Sequence, residues 1–102
     1  MSAKTLHTPG PWCVDYSGPA RIAIADHMGT EIAFCSLQGE DGDTDEANAR
    51  LIAAAPELLR NLERLYEYAI THAPDFSEHS KDGETRLVMA GARSAIAKAT
   101  TL

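Results

Sequence analysis

No apolar run in this chain approaches the roughly 20 residues that a membrane-spanning helix needs. Basic residues are scarce. Nine Lys and Arg stand against fifteen Asp and Glu, for a formal net charge of −6 over 102 residues. Phosphate backbones and anionic bilayers are bound by clustered Lys and Arg that release counterions. Nucleic acid and membrane are therefore poor partners, and a basic protein surface is a better one. Cysteine is nearly absent: Cys13 and Cys35 are too few for a secreted disulfide framework. No basic segment followed by an apolar one opens the chain, so no export signal is read. Reduced thiols and a cytoplasmic location are expected.

The chain is equally short of chemical constellations. Its four histidines (His7, His27, His72 and His79) show no zinc-ligand spacing. His72, Asp75, Glu78 and His79 share a polar stretch, but a solvated loop accounts for them better than a metal site. The acidic run from Asp41 to Asp45 suggests a calcium loop. Counted from Asp41, however, the sixth and twelfth positions hold Glu46 and Ile52, where an EF-hand needs glycine and glutamate. No serine sits in a nucleophile-elbow context. The glycines occur singly, so no phosphate-cradling loop is present. The expectation is a protein that is not an enzyme and needs no cofactor.

What is there is a globular composition, 44% hydrophobic, long enough for one core. One domain over residues 1–102 is expected. His7-Thr-Pro-Gly-Pro-Trp12 brings the chain in extended, because two prolines fix φ and forbid helix. Three short runs with period-2 spacing follow, divided by turns at Ser17-Gly18-Pro19 and Asp26-His27-Met28-Gly29. They predict a three-stranded antiparallel meander over residues 12–36. Trp12, Val14, Ile22, Ile24, Ile32 and Phe34 are assigned to its core face. Cys13, Asp15, Glu31 and Cys35 are assigned to the other.

Residues 44–72 read as helix, with Asp43 as N-cap and Glu46 completing a capping box. Ala47, Leu51, Ala55, Leu58, Leu62, Leu65 and Ala69 lie on one helical face. Unbroken, that helix would be about 42 Å long, while a domain of this size has a radius of gyration near 13 Å. Pro56 also lacks an N–H and would clash with the carbonyl of Ile52. A break or kink at Ala54 to Pro56 is predicted, with Pro56 in the first turn of a second helix. A last helix over 84–99 has its apolar face at Leu87, Val88, Gly91, Ala92, Ala95, Ile96 and Ala99. The fold class is α+β: the meander, then the broken helix, then the C-terminal helix packed as an antiparallel helical hairpin.

Two blocks together, the hexapeptide and Asp45-Glu-Ala-Asn-Ala-Arg-Leu-Ile-Ala-Ala-Ala-Pro-Glu-Leu-Leu59, resemble a group of small phage and prophage proteins. The alanine-rich Ala92 to Ala99 segment resembles their ending. The resemblance implies a phage accessory protein inside an infected bacterial host cell, dispensable for virion structure. It carries no catalytic residues.

The first functional expectation is stoichiometric binding to a host or anti-phage defence protein, as an inhibitor would bind. Glu40, Asp41, Asp43, Asp45 and Glu46 form the candidate partner-binding segment, because acidic groups can occupy a basic groove. The alternative is an oligomer that sequesters a small ligand or nucleotide signal, using Arg50 or Arg21 with Tyr16. A homo-oligomer is expected in either case, through Leu58, Leu62, Leu65 and Tyr66.

Overall fold

The computed structural model describes residues 7–16, 21–36, 42–73 and 75–101. Strands β1 (Cys13–Asp15), β2 (Arg21–Ala25) and β3 (Glu31–Ser36) precede helices α1 (Gly42–Ala53), α2 (Ala55–His72) and α3 (Gly83–Thr100). The class is α+β, with an antiparallel sheet in the order β1-β2-β3. The chain divides into two compact units, Met1–Glu57 and Leu58–Leu102.

In the first unit, β-branched residues build the central strand. Ile24 is fully buried, and Ile22, Ala23 and Ala25 are nearly so. Ile22 and Ile24 point at α1 and form the core with Ala49 and Ala53, flanked by Trp12, Val14, Ala33, Cys35 and Ile52. On the opposite face, Ala23 lies between the larger cross-strand neighbours Asp15 and Phe34.

The third strand has the reverse phase from its alternation pattern. Cys35 pairs with Ile22 and Ala33 with Ile24, so these small side chains face the helix. Phe34 pairs with Ala23 on the outer face and is 49% exposed. A register shift between Ile24 and Ala25 sets Glu31 opposite Ala25 and leaves Ile32 as the extra residue. An odd insertion exchanges the two faces beyond it. It also parts the two cysteines: Cys13 is exposed on the outer face opposite Ala25, and Cys35 faces inward.

The β2–β3 turn is held by one side chain. The Asp26 carboxylate accepts from the amides of Met28 and Thr30, each at 2.9 Å, and the Asp26 amide donates to the Thr30 carbonyl. Gly29 closes the loop at φ 84° with nothing within 4 Å of a Cβ placed there. An L side chain is strained at that φ whatever the space. Gly29→Ala is therefore expected to destabilise the first unit by about 1 kcal/mol, read as a lower denaturant midpoint with unchanged slope.

The helical run is broken at Ala54, whose amide still donates to the Arg50 carbonyl at 3.0 Å. Pro56 is the second residue of α2, where the missing N–H has no intrahelical partner to lose. The break also explains a glycine. A Cβ on Gly10 would lie 2.9 Å from the Pro56 Cβ, so the approach of the two chains excludes one. The hexapeptide and the proline-containing helical segment thus meet in the structure, with Trp12 against the core and its indole N–H donating to the Thr8 carbonyl at 3.1 Å.

Two expectations about the helices are corrected. First, α1 begins at Gly42, so Asp43 lies inside the first turn and is not the N-cap. Second, the buried face of α1 is Ala49 and Ala53, while Leu51 is 63% exposed. Small side chains let α1 approach the isoleucines of the sheet closely, and Leu51 does not fit there. In α3 the buried side chain is Met89, with Thr85, Ala92 and Ile96 half-buried on the same stripe; Leu87 and Val88 are exposed. No helix among the described residues is long and apolar enough to cross a membrane.

Candidate functional site

The two units differ in charge. Residues 1–57 contain three basic and nine acidic residues, and residues 58–102 contain six of each. The whole net charge of −6 therefore belongs to the first unit. Spacing and composition averaged over the chain conceal this division, which emerges once the boundary between the units is known.

The candidate acidic segment opens α1. Glu40 and Asp41 lie outside the described residues. Asp43 and Asp45 occupy the first helical turn, where the unpaired backbone amides and helix dipole favour carboxylates. Asp43 is exposed and Asp45 half-buried. Glu46 points into a side-chain cluster. One of its oxygens accepts from the Tyr16 hydroxyl at 3.0 Å and from the Arg50 guanidinium at 2.6 Å. The Tyr16 hydrogen bond and then the Glu46 charge hold the Arg50 pKa above its ordinary value.

Tyr16 and Arg50 are thus brought together as the ligand-binding alternative requires. The Glu46 carboxylate, however, occupies the place between them that an anionic ligand would take. Arg21 is similarly engaged. It pairs with Glu31 at 3.0 Å and lies 4.7 Å over the Phe34 ring. That contact shields part of an exposed aromatic side chain and is worth about 0.5–1 kcal/mol at such a site.

In the second unit, Asp82 caps α3. Its carboxylate accepts from the Thr85 amide at 3.0 Å and the Thr85 hydroxyl at 2.6 Å. These bonds lower its pKa from the ordinary 3.8. A carboxylate with a depressed folded pKa adds stability above its unfolded pKa and loses it as pH falls through the folded one. The first turn of α3 is therefore expected to be protected at neutral pH and to fray well below pH 4, read as a lower protection factor for the Thr85 amide, relative to its unstructured exchange rate at the same pH. Glu78 is paired with Arg93, and His72 stacks on Tyr68 with ring centroids 4.1 Å apart. Among the described residues no three metal-ligating side chains gather.

The candidate contact residues of α2 divide by exposure. Leu58 and Leu65 are 54% and 66% exposed, while Leu62 and Tyr66 are half-buried beside them. Tyr68, at 63% exposed, extends the same side.

Fold and charge define a small α+β protein with an acidic unit followed by a neutral helical one. The family model of Salmonella phage P22 protein Y8K6 matches residues 1–101. The chain belongs to that family and is a phage-encoded accessory protein. No curated protein and no solved structure matches it.

Proposed function

We propose that this phage protein acts by stoichiometric binding to a host or anti-phage defence protein, with its acidic first unit as the binding surface. One observation carries the reading: the entire net charge of −6 is confined to residues 1–57, and α1 there opens on the exposed Asp43 and the half-buried Asp45. A concentrated negative field speeds association with a basic surface and selects against acidic ones. A nucleotide-processing or nucleic-acid-processing host enzyme presents such a basic groove, and an acidic protein can fill it.

The test is co-purification from infected cells, followed by reconstitution with the recovered protein. A 1:1 or 2:2 complex should form at 150 mM salt and weaken at least about tenfold by 500 mM, because screening shortens the reach of exposed charges. Asp43→Lys combined with Asp45→Lys should weaken it further while circular dichroism stays unchanged. A complex indifferent to both salt and charge reversal would overturn the assignment.

A further inference from the structure

We infer that the solvent face of α1 is the part of the acidic unit that docks, lying as a ridge in a partner groove with a basic rim and an apolar floor. The inference rests on the proposed binding function and adds the binding element and the chemistry of its partner. It starts from a residue that the fold does not use. Helix α1 meets the sheet through Ala49 and Ala53, and its leucine stands on the far side, 63% exposed. Asp43, Ala47 and Leu51 recur at four-residue spacing along that far side. All three are exposed. The row covers about 12 Å of helix. A carboxylate stands at its N-terminal end and an apolar anchor at the other.

The flank of the ridge is prepared for contact as well. Tyr16, just past β1, reaches α1 there. Its hydroxyl and the Arg50 guanidinium share one oxygen of Glu46, at 3.0 Å and 2.6 Å. Both side chains stay open to solvent, Tyr16 at 57% exposed and the Arg50 side chain at 69%. Tyrosine and arginine are enriched among the residues that carry most binding energy at protein interfaces. Their usual handicap is the rotamer freedom lost on contact. Here one carboxylate already holds both polar heads, so less of that freedom is left to lose. The same carboxylate balances the guanidinium charge, so Arg50 does not oppose a basic partner.

The chemistry of the partner follows from charge. The first unit carries the whole net charge of −6, and α1 opens on Asp43 and Asp45. A groove that accepts the ridge therefore has Lys or Arg where Asp43 enters, and apolar or aromatic side chains where Leu51 enters. A second copy of this chain is unsuited to the site, since one acidic unit would meet another. The two ends of the ridge act on different steps. Exposed charge steers the encounter and sets its salt dependence, whereas a desolvated apolar anchor holds the complex once formed.

The experiment measures association and dissociation rates between the full chain and the purified protein recovered from infected cells. Leu51→Ala should raise the dissociation rate by about 30-fold. Its association rate and salt dependence should stay unchanged, and its fold intact by circular dichroism. Asp43→Lys should instead slow association and flatten the salt dependence, with little change in dissociation. Leu65→Ala is the control. Leu65 is as exposed as Leu51, at 66%, but lies in the second unit, so the affinity should stay within about twofold. A complex that responds to salt and to Asp43→Lys, yet keeps its dissociation rate in Leu51→Ala, overturns this inference alone. So does an equal loss from Leu65→Ala. Absence of any salt-sensitive complex overturns the functional reading, and this inference with it.

Discussion

Ile24→Ala is expected to remove about 3 kcal/mol from the stability of the first unit. Ile24 is fully buried at the centre of the sheet, between strands on both sides and beneath Ala49 and Ala53. The truncation forfeits the transfer energy of the lost methyl and methylene groups. It also leaves a void, because a central strand held by ladders on both edges cannot collapse into it. A unit of 57 residues has only about 3–9 kcal/mol of total stability at the usual per-residue value. The variant should therefore lose between about a third and all of that stability and unfold at a much lower urea concentration. Trp12 is the single tryptophan and packs against this cluster, so its fluorescence during urea titration reports the change. A loss below about 1 kcal/mol would mean that the core lies elsewhere.

The second large effect compares two neighbouring positions of α1. Ala49→Leu is expected to destabilise by about 1–3 kcal/mol, because extra methylenes enter a packed site. Ala49 is 0% exposed and faces the isoleucines of the sheet. Leu51→Ala should change stability by no more than about 0.5 kcal/mol. Leu51 is 63% exposed, and alanine is at least as good a helix former. A helix that buried its leucine would give the opposite order. Equilibrium denaturation of the two variants separates the cases, since only one phase of α1 can face the sheet.

These two sites also show where local pattern stops being informative. Strand positions and the turn between β2 and β3 were legible, because alternation and turn residues act over a few neighbours; the turn expected at Ser17-Gly18-Pro19 lies outside the described residues. The hairpin loop at Asp26 to Gly29 formed where its residue types required. The break beside Pro56 was legible for the same reason: a missing donor and a ring clash are local facts. The phase of β3 was not. A single extra residue at Ile32 turned Phe34 outward and Cys35 inward, and no alternation count reveals where a bulge will fall.

Helix phase failed differently. Leucine counts as more hydrophobic than alanine on any scale, so the pattern chose Leu51. The sheet chose Ala49 and Ala53, because backbone proximity over two isoleucines needs small side chains. Leu58, Leu65, Leu87 and Val88 stay exposed.

The candidate site divides along the same line. The acidic character of the segment before α1 is a property of composition and needs no structure. Glu46 is another matter. Its carboxylate serves Tyr16 and Arg50 within the fold, a contact between residues 30 positions apart that no local pattern contains.

The sequence alone determined the α+β class, the order of strands and helices, the break at the proline and the acidic balance. Each depends on forces that act within a few residues or on a simple sum. Only the tertiary structure decided which face of β3 and of α1 is buried, that the whole net charge sits in the first unit, and that Leu58 and Leu65 of α2 stay exposed. Those outcomes depend on which surfaces meet, and that is settled by side-chain volume and backbone approach between segments far apart in the chain.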